Sequence, residues 1–321
     1  MGIKIGDMPF GSISLSDYSR FLDESSEKEK SYRKQADIKN LWYSILCVFD
    51  RLSDDDMQLR MTVRQMFYAL VSVGKIEKAE SAYRKVSKQL SIMRREGYSP
   101  FHWIVDNTRW QRKPDSYKDL NVFLSNMQDY YRKSIWNEQG KYIEIWVEKD
   151  ALTGVFYPTT SKYDVPLMSA KGFASDSFIF GSAEAIKEEY NTGKDVFLYY
   201  FGDYDPSGYA AVNATYRKLK EFAGGDIKFG FEHVAVKKEH IEYFNLPTRP
   251  TKQSDTRAKK WDGDSVELDA IPPRELQKMI ENCIVRHIDE NLLNKTKLIE
   301  NNERESLKQF TESLIKINRV A

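Results

Sequence analysis

Apolar residues recur at helical spacing through roughly the first 135 positions. From about position 140 the rhythm changes to short continuous apolar runs separated by amphipathic stretches. Leu41, Trp42, Ile45, Leu46, Val48 and Phe49 share one side of a helix predicted over 38–52. A second helix is expected over 63–73, with Thr62 as its N-cap and Gly74 as its stop. A third is expected over 78–96, closed by Gly97, with Tyr83, Val86, Leu90 and Met93 as its apolar stripe. The stretch 101–112, with Trp103, Ile104, Val105 and Trp110, reads as a short β hairpin, and 115–133 as a connecting helix. Beyond Gly140, strands over 142–147, 165–170, 195–201 and 227–236 alternate with helices over 151–163, 175–190 and 207–222. Strands alternating with helices predict a parallel sheet covered on its faces, hence an α/β protein with a smaller, mainly α block in front. From Pro272 onward the chain is helical and charged, with a stripe through Leu276, Ile280, Ile284 and His287.

The chain has 321 residues, of which 41% are apolar and 30% charged, room for two domains with real cores. No apolar run approaches the ~20 residues needed to cross a bilayer, which argues against a membrane protein. Residues 1–10 are neither cationic nor apolar enough for a signal peptide, so a cytoplasmic setting is expected, nucleoid-associated in a prokaryotic cell. Residues 1–17 form a loose lead-in, and 25–39, dense in both charge signs, an exposed helix or mobile segment. Cys47 and Cys283 stand far apart in helical patterns and read as buried thiols. His102, His233, His240 and His287 show no ligand spacing with them, which argues against structural zinc.

The net charge of +1 averages unlike segments. From Arg60 to Asp119, thirteen Lys and Arg face six Asp and Glu, an excess of seven that suits an anionic partner or a solvated helical face. On the third helix Arg84, Lys88, Arg94 and Arg95 lie largely off the apolar stripe, and Arg109 and Arg112 sit on the hairpin. Two helices followed by a basic hairpin read as a winged-helix block for duplex DNA. A basic, polar loop over 249–261, including Arg257, is either exposed surface or a second clamp on phosphates.

The sharpest chemical signal is Phe201-Gly202-Asp203-Tyr204-Asp205-Pro206-Ser207-Gly208 after the apolar run 195–200. Alternation along an extended chain puts Asp203 and Asp205 on one side. Glu148 closes the strand over 142–147, so all three acids are expected at the carboxyl edge of one sheet, where open α/β folds place their chemistry. Three such carboxylates are hard oxygen donors of the kind Mg²⁺ prefers. Asp150 is expected as a helix N-cap, and Glu267 and Asp269 as acids that cap the helix opened by Pro272 and Pro273, with a role as further metal ligands as the alternative.

The Glu148 and Asp203-Tyr204-Asp205 arrangement resembles the Toprim domain, and Val63-Arg64-Gln65-Met66-Phe67-Tyr68 resembles the active-site helix of the topoisomerase VI A subunit and its meiotic DNA-breaking relatives. Spacing alone leaves Phe67 and Tyr68 as core aromatics in a chain with nineteen tyrosines. The resemblance covers about 62–273, and Asp255-Thr256-Arg257 with 267–273 are similar to compact, stand-alone members of the family. It implies N-terminal residues 1–55, a winged-helix domain over 56–135, a Toprim domain over 140–273 and a helical tail over 274–321. It also implies Tyr68 as nucleophile for a 5′-phosphotyrosyl link, Arg64 as its supporting cation, and Glu148, Asp203 and Asp205 as Mg²⁺ ligands, with Mn²⁺ able to substitute. The partners implied are duplex DNA, a second copy of the chain whose metal site meets the tyrosine, and a separate GHKL-type ATPase B subunit. No Gly-x-x-x-x-Gly-Lys-Ser/Thr loop occurs, so nucleotide hydrolysis is not expected here. Two alternatives remain from the sequence: a Toprim nuclease in which water attacks and Tyr68 only packs, and a non-catalytic DNA-binding partner of an ATPase.

Overall fold

The computed structural model describes residues 36–53, 60–105, 113–251, 261 and 263–320. Three helices come first: α1 (Ala36–Ser53), α2 (Val63–Ser72) and α3 (Glu80–Arg95). The start of α2 is fixed by a capping box, in which the Thr62 hydroxyl accepts from Gln65 N at 3.2 Å and Gln65 Oε1 accepts from Thr62 N at 2.9 Å. Gly74 ends it at φ +69°, a left-handed conformation that side chains other than glycine's resist. Val86, Leu90 and Met93 of α3 are buried as the stripe requires. The expected hairpin is not formed by its described part. Residues Phe101–Trp103 make a 3₁₀ turn, and Ile104 pairs with Met61 in the parallel sense. Arg109, Arg112 and Arg257 lie outside the described residues. The connecting helix is shorter than expected, α4 (Leu120–Tyr130), because the Asp119 carboxylate caps it by accepting from Val122 N at 3.0 Å.

Four parallel strands follow, β1 (Lys141–Val147), β2 (Leu167–Ser169), β3 (Asp195–Phe201) and β4 (Gly230–Ala235), in the order β2-β1-β3-β4. Between them run α5 (Thr153–Lys162), α6 (Asp176–Asn191) and α7 (Pro206–Ala223), with Ser175 and Asp205 as N-caps of the last two. The chain closes with α8 (Lys238–Tyr243), α9 (Pro273–Val285) and α10 (Glu290–Val320). The protein is therefore α/β with a parallel sheet. Among the described residues no helix is long and apolar enough to cross a membrane.

The two sheet faces bury different sets. Trp146, Leu198 and Tyr200 point to the face covered by α6 and α7. Ile143, Ile145, Val147, Tyr199 and Phe201 point to the other, and there the core runs on without a break into Met66, Leu70, Val86 and Leu90 of the front helices. This is period-two alternation used on both sides. One carboxyl group sits inside the α6/α7 face. Glu144, 1% exposed, accepts from Tyr142 Oη, Trp146 Nε1 and Ser182 Oγ, and burial pushes its pKa up. Cys283 is buried as expected, whereas Cys47 is only half-buried.

Candidate active site at the carboxyl edge of the sheet

Because β1 and β3 are adjacent and in register, with Val147 opposite Phe201, the residues that follow both strands leave the sheet together. Glu148 N donates to Phe201 O at 2.8 Å, and Asp203 N donates to Glu148 Oε2 at 2.9 Å. The backbone must come very close for this. A Cβ on Gly202 would lie 2.7 Å from Glu148 Oε2, and one on Gly208 only 2.5 Å from the Asp203 carbonyl oxygen. Gly208→Ala therefore forces either the Asp203 carbonyl or the first turn of α7 to move. The expected loss is about 1–3 kcal/mol, read from urea denaturation, and an unchanged midpoint would show that the backbone gives way freely.

Glu148, Asp203 and Asp205 come to the same edge, but the last two do different work. The strand ends at Phe201, so alternation does not govern them. Asp203, 7% exposed, accepts from Leu268 N at 2.8 Å through Oδ1. Asp205 caps α7, its Oδ1 accepting from Gly208 N at 2.7 Å, while Oδ2 lies 3.7 Å from Arg249. Burial and the negative charge of Asp203 push the Glu148 carboxyl up to about 7, against the Asp203 N–H that favours its ionised form. Burial likewise raises the Asp203 carboxyl, opposed by Lys149.

Lys149 is the residue that organises the rest, and nothing in the sequence singled it out. Its ammonium reaches Asp203 Oδ1 at 3.0 Å, Glu267 Oε2 at 2.9 Å and Asp269 Oδ2 at 2.7 Å. Glu267 also takes Arg64 at 2.6 Å and Arg249 at 3.1 Å. Burial opposes the charge on Glu267, but Lys149 and Arg64 overcome it and hold the carboxyl at about 2. The expectation that Glu267 and Asp269 cap the following helix is corrected. Pro272 is the N-cap of α9, with no side-chain cap, and Pro273 at its first position has no N–H to satisfy. Asp150 does not cap a helix either: it accepts from Ser169 Oγ at 3.1 Å and pairs with Lys171 at 3.3 Å.

Arg64 and Tyr68 share α2 and both face this cluster. Arg64 bonds Glu267 and lies 5.3 Å from the Tyr83 ring centroid. Tyr68 is 4% exposed, with Phe67 edge-on at 5.2 Å and the Lys78 ammonium 5.3 Å from its ring centroid. Burial, then the charge of Glu267, push the phenol pKa above its ordinary value; Lys149, Arg64 and Arg249 pull it back only in part. Arg64 does favour the phenolate, as a supporting cation would, but burial outweighs it and the phenol stays protonated in this state. Lys78, lowered to about 8 chiefly by burial, donates to the Pro247 carbonyl at 2.6 Å and so ties the chain after β4 across the tyrosine.

A cleft of about 690 Å³ opens beside the cluster, walled by Thr62, Arg64, Arg94, Glu148, Lys149 and Lys171. The whole wall carries four cations, Arg64, Arg94, Lys149 and Lys171, against three acids, Glu148, Asp150 and Asp269. Tyr68 does not line it. Of the other basic residues on α3, Lys88 and Arg95 are exposed, and Arg84 is exposed and pairs with Glu80 at 3.4 Å.

Among the described residues no group of three or more His, Cys, Asp or Glu side chains is arranged to hold a metal ion. Magnesium asks for less: one or two carboxylates, with water and substrate phosphate filling the other positions. Glu148 lines the cleft with Asp203 one hydrogen bond behind it, and Gly202 and Gly208 leave the room in which the Glu148 carboxylate sits. No family model, curated protein or solved structure matches the chain.

Proposed function

We propose that the chain cleaves duplex DNA by transesterification, in the manner of a type IIB topoisomerase A subunit, with the front helices as a winged-helix block and the sheet as a Toprim domain. The single observation that supports this best is the Arg64–Glu267 bridge, which ties the tyrosine helix to the acid cluster across 203 positions of sequence. A phenol, a guanidinium and strand-end carboxylates brought together from distant parts of one chain are the elements that phosphoryl transfer to tyrosine needs. In this reading Glu148 and Asp203, with Asp205 beside them, would hold Mg²⁺. Bound there, the ion would neutralise charge on the phosphoryl oxygens. Tyr68 Oη forms a bond to phosphorus as the bond to the 3′ oxygen breaks, and the phenolic proton passes through solvent to that leaving oxygen. Arg64 and Lys149 stabilise the developing negative charge. The 5′ end is left on tyrosine, so reversal needs no nucleotide. Two copies would cut the two strands, and passage of a second duplex would require a separate GHKL ATPase.

A second reading, hydrolysis at the same site with water as nucleophile, is favoured by one specific observation: Tyr68 is buried and off the cleft wall. End-labelled duplex incubated with the protein and Mg²⁺ or Mn²⁺, then run on a denaturing gel with and without protease, separates the two. With the label at the 3′ ends, protease-sensitive retardation of the labelled cleavage fragment, which carries the new 5′ end, is the result expected, lost completely in EDTA. Free ends under the same conditions select hydrolysis. Binding with no metal-dependent cutting leaves the chain as a DNA-binding partner of another enzyme.

A further inference from the structure

The cleft beside the acids is close to charge balance, so it supplies little of the attraction that draws a polyanion to a surface. A second hollow, of about 720 Å³, is built differently. It lies between α5 and α9, with Arg60 of the front block on its wall, and carries four cations, Arg60, Lys162, Arg274 and Lys278, against one acid, Glu281. Lys162 and Tyr163 bond Glu281 and hold its carboxyl below the ordinary range, so it counts as ionised. Glu275, off the wall, pairs with Lys278 at 2.9 Å. With both acids counted, two positive charges remain in excess. Arg60, Lys162 and Lys278 are exposed, and ion pairs at such positions are weak enough to give way to a phosphate.

The sequence of α9 explains the arrangement. Arg274, Gln277, Lys278 and Glu281 follow at i, i+3, i+4 and i+7 and form one polar stripe, while Leu276, Ile280 and Cys283 are buried on the opposite side. On the α5 wall Tyr157 is 63% exposed, and its hydroxyl is a donor of the kind that phosphate oxygens take. The hollow also adjoins the cleft. Arg60 lines the one and Thr62 the other, on the stretch where Met61 pairs with Ile104, so their backbones are about 7 Å apart. Ala151 and Gly154, three residues apart, stand on the two walls in the same way.

We infer that the hollow between α5 and α9 is a docking groove for the phosphate backbone of duplex DNA, holding the part of the duplex that flanks the cleft. The inference rests on the DNA reading proposed above and adds where the duplex lies and what holds it: Arg60, Lys162, Arg274 and Lys278 neutralise phosphates, and Tyr157 Oη donates to one. Contacts of this kind carry no sequence information, so binding follows salt and not base sequence.

The test is the salt dependence of binding, by fluorescence anisotropy, of a short labelled duplex to the full chain in EDTA, which withholds the metal so that nothing is cut. Arg60→Gln, Lys162→Gln and Lys278→Gln together remove three exposed groove cations, none of them on the cleft wall or in the acid cluster. Lys187→Gln, Lys238→Gln and Lys308→Gln together remove the same charge from exposed positions off the groove wall and serve as the control. The groove variant is expected to bind at least about 10-fold more weakly at moderate salt, with a log–log salt slope shallower by about 2–3, while the control follows the wild-type chain. Equal slopes for groove variant and control overturn the inference and leave DNA cleavage at the cleft standing. No duplex binding by the wild-type chain overturns the DNA reading, and this inference with it. Inorganic tripolyphosphate, titrated calorimetrically, separates a free phosphate compound from a nucleic-acid backbone: its binding lost in the groove variant, with duplex binding intact there, makes the hollow a site for free phosphates and overturns the inference. If the triple variant does not fold, Lys278→Gln alone, at a side chain 65% exposed, decides by a slope shallower by about 1.

Discussion

Tyr68→Phe is expected to abolish the covalent protein–DNA species of the proposed transesterification and to lower strand cleavage by at least about 10³-fold, because it deletes the proposed attacking group and leaves only binding and charge stabilisation. The substitution is well suited to the site. The ring is buried against Phe67 and under Lys78, so losing one oxygen leaves the packing in place, and a thermal melt should scarcely move. Burial also holds the phenol protonated, so the proposed attack requires that Tyr68 first be uncovered. The element that covers it is identifiable: Lys78 bonded to the Pro247 carbonyl at 2.6 Å. Cleavage that proceeds at full rate in Tyr68→Phe, with free 5′ ends on the gel, would remove the tyrosine from the chemistry and leave water as the nucleophile.

Glu267→Gln is expected to destabilise the fold by about 3–5 kcal/mol near neutral pH, the range found when one member of a buried ionic cluster is neutralised and its partners remain. Glu267 is 7% exposed and is bonded to Arg64, Lys149 and Arg249 at once. Its carboxyl is held at about 2, against 4.5 for the ordinary group. A depressed carboxyl stabilises the folded state above the unfolded value, so the full difference between wild type and variant is present above about pH 4.5. The difference then shrinks as the pH falls and is lost through about 2. Urea denaturation at a series of pH values in EDTA measures it directly. A gap below about 0.5 kcal/mol that does not vary with pH would mean that the bridge contributes nothing to stability.

What could be read from the sequence divides along a physical line. Local signals were legible. The Thr62 N-cap, the Gly74 stop and the run 195–201 were each set by residues a few positions apart, and β3 spans those residues. Glu148 and Asp203 were legible too, because a carboxylate at the end of an apolar strand marks the sheet edge without knowledge of the rest of the fold. The expected strand over 165–170 shrinks to Leu167–Ser169 because it is an edge strand with a single partner, so its pairing is not fixed from both sides. Lys149 was not legible, since its partners Glu267 and Asp269 lie 118 and 120 residues away and no spacing rule spans that distance. The same pair was misread as helix caps because Pro272 and Pro273 follow so closely. The burial of Tyr68 escaped for a related reason: helical spacing says which residues share a side, not what covers that side.

The uninterrupted core has a mechanical consequence. Met66 and Leu90 of the front helices and Ile145 and Phe201 of the sheet belong to one packed interior, and α2 rests on the turn Leu268–Ala270. Interiors packed this densely transmit displacement and do not absorb it. The front and back of the molecule therefore move as one block, and the two walls of the cleft cannot swing apart within one chain. For the duplex cleavage proposed above, wide opening is then left to the contact between one molecule and another.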